Sequence, residues 1–314
     1  MSIRPFDWRD LPKLHSYRKR GLFLDKTLVL TRGPMLVPAG ALLSYFAPAT
    51  GIFTYLCWKN GAPKYPLIGQ LIHEHKSPHA RLTYLAPITA LDSPSFANLI
   101  EYMIVKVGER GAFHLLAEVD EHSTTFDILR ESSFAIYARQ RIWKVTGELA
   151  SKGYSTPWRW STDRDSIAIR SLYNNLVPGL VQQIEPLPTN SPTGLVFSTG
   201  NGLFAYIEIK TGPHGIWIQP FVHPDADQLP ARLIDLLNNL PFRGSRPVYI
   251  CVRSYQSWLE ASLEELGAQA EPLQAVMVKH LAIATRITQS LRLKTLEVRH
   301  PEATAPMARS ECKK

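Results

Sequence analysis

The chain has 314 residues, 45% hydrophobic and 20% charged, with a formal net charge of +8. That is long for one domain, sufficient for two ordinary cores, and incompatible with broad disorder. Residues 1–33 hold eight basic and three acidic side chains, and residues 291–314 hold six and three, so much of the charge is terminal. Arg18-Lys19-Arg20 is the only basic triplet and no basic run is interleaved with aromatics, so no nucleic-acid partner is expected. Cys57, Cys251 and Cys312 show neither CxxC nor Cys-His spacing. No disulfide framework or zinc site follows, and a cytoplasmic location is expected. The opening Met1-Ser2-Ile3-Arg4-Pro5-Phe6-Asp7 lacks the apolar core of a signal peptide.

In chain order, Ile3–Phe6 reads as a short strand, and Asp7 can cap a helix over Trp8–Arg18. Residues 33–58 carry no charge for 26 residues, enough to span a bilayer by length. Pro34, Pro38 and Pro48, with Gly33, Gly40 and Gly51, divide this stretch into strand-length and helix-turn pieces. It is therefore expected to pack on the protein, and no membrane partner is expected. Ile52–Trp58 reads as a strand, and Leu67–His73 with Arg81–Ala86 as an antiparallel pair. Ser93-Pro94 opens a helix whose Phe96, Leu99, Ile100, Met103 and Val107 bury one face. A strand over Ala112–Val119, a helix over Thr125–Ser132 and a strand over Ala135–Val145 follow.

The second half repeats the plan. Trp158–Ser161 is a strand, and Thr162 or Asp163 caps a helix to about Asn175. Gly194–Ser198, Leu203–Lys210 and Gly215–Val222 are strands. Leu229, Leu233, Leu236, Leu237 and Leu240 stripe a helix, followed by a strand over Val248–Val252, a helix over Ser257–Leu266 and a strand over Leu273–Leu281. Leu67 answers to Leu203 at an offset of 136, Leu82 to Ile216 at 134 and Val145 to Leu281 at 136. Asp10 answers to Asp165 at 155, so the first copy carries an insertion, placed within residues 33–58. A near-constant offset means one supersecondary plan used twice. Domains are expected over residues 1–147 and 155–288, with a basic tail over 289–314 that is expected to be flexible.

The order strand, helix, three strands, amphipathic helix, strand, short helix, strand resembles the GCN5-related N-acetyltransferase (GNAT) superfamily, present twice. Pro66–Ile72 followed by Ala80–Pro87 resembles the family's central hairpin. Val222-His223-Pro224-Asp225 resembles the exit from its fourth strand. Leu263-Glu264-Glu265-Leu266-Gly267-Ala268 resembles its turn after the last helix, with Ser133-Phe134 in the equivalent place. The resemblance implies an α/β (α+β) protein of tandem acyl-CoA N-acyltransferase-like folds, each a mixed, mainly antiparallel sheet flanked by helices. It implies splayed fourth and fifth strands, and acetyl-CoA or another acyl-CoA as cofactor. Phe221, Val222, Gln228 and Ala231 are the implied cofactor-binding residues.

The chain departs from three features that the resemblance calls for. The family's R/Q-x-x-G-x-G/A loop uses backbone N–H groups at a helix N-terminus to hold pyrophosphate, and glycine permits the close approach. Here Gln228 can lead that loop, but Ala231 and Leu233 replace both glycines, Pro230 removes a donor, and Asp225 and Asp227 would repel phosphate. In the first copy, Pro87–Phe96 contains no glycine. Leu129 and Leu263 stand where the family has its general-acid tyrosine, and neither Arg81–Pro87 nor Gly215–Val222 offers a carboxylate as general base. Acetyl-CoA affinity is expected to be no better than high-micromolar, with the second copy the better candidate.

Two functions follow. One is acyl-CoA-dependent transfer to an unidentified amine, with strand-four amides polarising the thioester carbonyl. The alternative is a catalytically silent GNAT-fold module that binds a small ligand or a protein. Glu118 and Asp120 end the fifth strand, where they could bind an amine or simply cap and solvate the strand end. His73, Glu74, His75 and His79 surround the hairpin turn but lack a further placed ligand, so no metal is expected. Trp158, Trp160, Trp217 and Trp258 are expected in core or inter-domain packing.

Overall fold

The computed structural model describes residues 2–17, 20–46, 50–59, 62–75, 77–91, 93–147, 158–187, 194–199, 202–241 and 243–281. The expected inter-domain linker, part of the proline-rich stretch after Glu185, and the basic tail lie outside the described residues. Residues 1–283 form one compact unit.

The first half contains β1 (Ser2–Pro5), α1 (Leu11–Tyr17), β2 (Leu22–Phe23), α2 (Lys26–Arg32), α3 (Leu36–Phe46), β3 (Ile52–Lys59), β4 (Ala62–Ile72), β5 (His79–Ala86), α4 (Pro94–Gly108), β6 (His114–Asp120), α5 (Thr124–Glu131) and β7 (Ala135–Val145). The second contains β8 (Arg159–Trp160), α6 (Ser166–Leu176), α7 (Gly179–Ile184), β9 (Gly194–Thr199), β10 (Gly202–Thr211), β11 (Ile216–Val222), α8 (Leu229–Asn238), β12 (Val248–Arg253), α9 (Trp258–Glu265), β13 (Gln269–Ala270) and β14 (Gln274–His280). The sequence reading named most of these. It missed β2, α2, α7 and β13, and it broke α3 into smaller pieces.

The two copies share local devices as well as element order. Asp7 and Asp10 form a capping box at the turn before α1, and Thr162 and Asp165 form one before α6. Arg4 reaches Asp10 at 2.9 Å, and Arg159 reaches Asp165 at 2.6 Å. After α5, Ser133 takes φ 63°; after α9, Gly267 takes φ 72°. The next amide reaches back the same way in each copy, Phe134 N–H to the Leu129 carbonyl at 2.9 Å and Ala268 N–H to that of Leu263 at 3.0 Å.

One sheet runs through both halves in the order β1-β3-β4-β5-β6-β14-β7-β12-β11-β10-β9-β8. The closing strands are exchanged. β14, from the second half, lies between β6 and β7 of the first; β7, from the first, lies between β14 and β12 of the second. Each half therefore completes the other's sheet with a strand buried on both edges.

Helix α4 covers one face of the first half, burying Phe96, Leu99, Ile100, Met103 and Val107 against Leu82 and Leu115. Five such side chains contribute on the order of 10 kcal/mol before chain entropy is counted. On the opposite face α1 and α3 share a smaller core, where Leu14, Tyr17, Val37 and Ala41 meet Leu56, Ile68 and Tyr84. Pro38 does not break α3, because it lies in the first turn, where a missing N–H costs nothing. No single helix among the described residues is long and apolar enough to cross a membrane. Helix α2 reaches the second half instead. Leu30 packs near Trp217, Tyr249 and Cys251, and His214 N–H donates to the Thr31 carbonyl at 2.9 Å.

Candidate functional site

Two wedges open in the sheet, one per half. In the first half, parallel β5 and β6 pair at His79–His114, Ala80–Leu115 and Arg81–Leu116 and then separate. In the second, β11 and β12 pair only at Ile216–Val248, Trp217–Tyr249 and Ile218–Ile250. Beyond these points β5 and β11 each present an edge without a strand partner in the main ladder. Such an edge is a template for amide recognition. It is also where the resemblance to the acetyltransferases places the amides that polarise a thioester.

In the second half that edge is occupied from within the chain. The Val222 amide donates to Oε1 of Gln256 at 3.0 Å, and Nε2 of Gln256 donates to the Pro220 carbonyl at 2.9 Å. Gln256 lies in the 3-10 turn after β12 and is 1% exposed. Its carboxamide supplies one donor and one acceptor to the strand edge, as a peptide-like ligand would. Pro220 faces the same wedge and has no N–H to offer. Beyond the paired residues, then, the β11 edge keeps no free amide as far as Val222.

In the first half the plug is a strand. β2 pairs antiparallel with β5 on the wedge side, Leu22 opposite Leu85 and Phe23 opposite Tyr84. The Leu24 amide donates to the Thr83 carbonyl at 2.9 Å, and the Glu118 amide of β6 donates to the Leu24 carbonyl at 2.8 Å. The segment thus bridges both walls of the wedge. Its entry is shaped by Gly21. A β-carbon there would lie 2.1 Å from the Tyr84 ring, so only glycine fits. The Ile88 amide, in the loop after β5, donates to the Arg20 carbonyl at 3.0 Å, tying the expected cofactor-loop region to the same plug.

Between the wedges lies a charged chain whose Glu118 and Arg253 are buried and whose Arg81 and Glu185 are partly buried. Arg81 of β5 meets Glu118 at 3.5 Å and Glu185 at 3.1 Å, and Glu185 meets Arg253 of β12 at 2.9 Å. Burial alone would raise the Glu185 carboxyl, but Arg253 and Arg81 on either side hold it at about 2. Glu118 is pushed up by burial and by Asp25, although it accepts the Lys26 amide at 2.8 Å. It therefore caps the start of α2 and balances Arg81. Asp120 is further out, within 3.6 Å of Lys26 Nζ.

The four expected cofactor residues do fall in one stretch, from the end of β11 into α8. Phe221 is buried beside Tyr206 and Tyr173, with ring centroids at 5.9 and 5.4 Å. Val222 is held by Gln256. Gln228 precedes α8 in a left-handed conformation, φ 54°, and Ala231 lies in the first turn. Arg232 folds back across this turn, its Nε donating to the Asp227 carbonyl at 2.7 Å and its guanidinium 4.1 Å above the Phe197 ring. Leu129 and Leu263, at the expected tyrosine positions, are 0% and 1% exposed and serve the core. His73 bonds the Ser77 carbonyl at 2.9 Å, and no group of three possible metal ligands occurs among the described residues. Trp217 is buried as expected, whereas Trp160 and Trp258 lie at the surface, 48% and 40% exposed, because β8 and the start of α9 sit at the rim. The sequence reading missed Gln256, Arg253, Glu185 and β2. A buried-looking Gln two residues before a tryptophan carries no local signal of what it plugs.

No family model matches the sequence, and no curated protein matches it. Solved structures do. A GCN5-related N-acetyltransferase from Sphaerobacter thermophilus is 11% identical, with 89% of this chain and 95% of that one covered and a TM-score of 0.53. A tandem GNAT protein from the clavulanic acid biosynthesis pathway is 15% identical, covering 90% of this chain and 98% of that one, with a TM-score of 0.50. A functionally unknown protein from Staphylococcus epidermidis is 11% identical over 68% of this chain and 91% of that one, at 0.50. With the repeated strand order, the two wedges and these neighbours in hand, the chain has the GCN5-related N-acetyltransferase fold in two divergent tandem copies.

Proposed function

We propose that this protein is a GNAT-fold binding module that does not transfer acyl groups from coenzyme A. The observation that carries this reading is the double closure: β2 fills the first wedge and the Gln256 carboxamide fills the second. A thioester carbonyl entering either wedge would have to displace hydrogen bonds already made among buried groups, each worth about 0.5–1.5 kcal/mol net. Pro230 and the absent glycines in the second copy's loop add to the penalty.

A second reading is favoured by one difference between the plugs. Gln256 is a side chain locked into the core, whereas β2 is only two residues long. A first half from which β2 withdraws would expose the β5 edge beside Glu118, a buried carboxyl whose raised pKa suits a general base. That protein would be a self-closed acyl-CoA-dependent N-acyltransferase acting on an amine.

Calorimetric titration of acetyl-CoA into the intact wild type and into Gly21→Leu separates the readings. The silent module gives no saturable heat below the millimolar range in either. Saturable binding by Gly21→Leu alone, with thiol release when amines are added, establishes the self-closed transferase. Low-micromolar binding by the wild type overturns both forms of closure.

A further inference from the structure

Arg253 ends β12 with its side chain almost wholly enclosed, 3% exposed. Its Nη2 meets Glu185 at 2.9 Å, but Nε and Nη1 have no hydrogen-bond partner among the described residues. A buried guanidinium is ordinarily bonded through most of its donors, because each unmade bond leaves a desolvation cost unanswered. The nearby acceptors are already engaged. Gln140, directly opposite Arg253 on β7, gives its Oε1 to the Cys251 thiol, and its Nε2 donates to Gln274. Both oxygens of Glu185 are taken, Oε1 by Arg81 and Oε2 by Arg253.

A second donor lies close by. Tyr137 sits at a bulge in β7, where the register against β14 shifts between Val276 and Met277, a device that re-aims a side chain. Its hydroxyl is buried near Glu185 but outside hydrogen-bond geometry, and it has no other partner among the described residues. Burial pushes it well above the usual phenol range, so it stays a donor. The groups facing Arg253 are Glu185, Tyr137, Cys251 and Tyr255, and burial also holds Cys251 and Tyr255 in their neutral forms. Among these four only Glu185 is charged, and it is shared with Arg81. Glu118 and Asp25 gather at the Arg81 end of the cluster. The Arg81 side chain is 28% and that of Glu185 15% exposed, so solvent reaches the cluster from their side.

We infer that Arg253 and Tyr137 form the floor of a binding site for a small carboxylate, reached past Arg81 and Glu185. A carboxylate accepts charge-assisted hydrogen bonds from the unengaged guanidinium donors and from the phenol, and such bonds are roughly twice as strong as neutral ones. A phosphate or sulfate dianion brings a second negative charge toward Glu185, with Arg81 already serving two carboxyl groups. The inference names the ligand class of the binding module proposed above and rests on that reading.

Calorimetric titration of the full chain with acetate, acetamide and sulfate, in a buffer free of other carboxylates and of coenzyme A, tests it. Acetate is expected to bind saturably, and acetamide and sulfate at least about tenfold more weakly. Tyr137→Phe removes only a hydroxyl without a partner, so it should keep or raise the melting midpoint while weakening acetate by roughly two- to tenfold. Arg253→Lys keeps a cation for Glu185 but loses Nε and Nη1, and should weaken acetate by about tenfold or more. No saturable heat with acetate overturns the inference, leaving solvent alone to serve Arg253. So does acetamide or sulfate binding as tightly as acetate, and so does acetate binding that both variants leave intact. Because acetyl-CoA is absent from this titration, failure here strikes only the carboxylate site. The silent module stands or falls on the acetyl-CoA titration.

Discussion

Gln140 and Gln274 stand at the same place in the two copies, and they face each other across the middle of the sheet. Nε2 of Gln140 donates to Oε1 of Gln274 at 3.1 Å. When a residue pairs with its own counterpart between antiparallel strands, a local two-fold axis passes between them. The strand exchange is the consequence, since β7 and β14 are the pair that straddles the axis. The bond also extends outward on both sides. Gln274 Nε2 donates to Asp120 at 3.3 Å, and the Cys251 thiol donates to Gln140 Oε1 at 3.3 Å. Four adjacent strands are thereby joined by one polar row inside an apolar sheet.

Replacing either glutamine by leucine leaves the other's amide buried and short of partners. Gln140→Leu and Gln274→Leu should each cost about 1–3 kcal/mol, the usual penalty for an orphaned buried polar group. The double variant should cost less than the two together, because both orphaned groups leave at once. Urea denaturation of the four proteins gives the cycle. Additive losses would mean the two side chains do not interact.

The exchange predicts how fragments behave. A fragment covering residues 1–150 lacks the strand that lies between its β6 and β7, and the complementary fragment lacks β7 beside β12. Expressed alone, each should be insoluble or poorly folded, with bare strand edges open to aggregation. Co-expressed, the two should copurify as one particle of native-like circular dichroism. Two independently stable fragments with no affinity for each other would contradict the exchange.

Much of this architecture was legible in the sequence because it is local. Ser93-Pro94, the stripe from Phe96 to Val107 and the repeated spacing from Leu67 to Leu281 are short-range patterns, and the elements they imply are present. At α3 the prolines mislead, because Pro38 lies in the helix's first turn, where proline is tolerated. The exchange of β7 and β14 leaves no such trace. Either strand is equally apolar whether it pairs within its own copy or with the other. The plugs are hidden for a related reason. Leu22-Phe23 and Gln256 are unremarkable as letters, and only the splay of distant strands gives them a wedge to fill.

Acid should destabilise the protein in two steps. His79 is held down at about 4, chiefly by burial and then by Arg81, so between pH 6.5 and 4 the unfolded chain binds a proton that the folded chain does not. Stability therefore falls as pH drops through that window, by about 3 kcal/mol for this site. Glu185, held at about 2, adds a second loss as pH falls from 4.5 toward 2. Glu118, raised by burial, works in the opposite direction above 4.5, so it offsets part of the first step and not the second. Melting midpoints of wild type and His79→Gln from pH 8 to pH 4 should converge as pH falls, the variant showing the flatter profile above pH 4. Parallel profiles would show that His79 is not the group responsible.

At the turn after the last helix of each copy the two copies differ in residue type at a left-handed backbone that favours glycine. Ser133 and Gly267 occupy the same left-handed turn, at φ 63° and 72°, and the same two backward hydrogen bonds follow each. Glycine takes that conformation freely, whereas a side chain carries a penalty of about 1 kcal/mol. Ser133 is exposed, and no side-chain hydrogen bond of its own offsets the strain among the described contacts. Ser133→Gly should therefore stabilise the protein by roughly 0.5–1 kcal/mol, less whatever extra entropy glycine gives the unfolded chain. Gly267→Ala should destabilise it by about the same amount. Urea midpoints at unchanged slope are the measurement. A Ser133→Gly variant that unfolds earlier than the wild type would mean that the serine side chain holds the turn, and that the two copies close their last helix by different means.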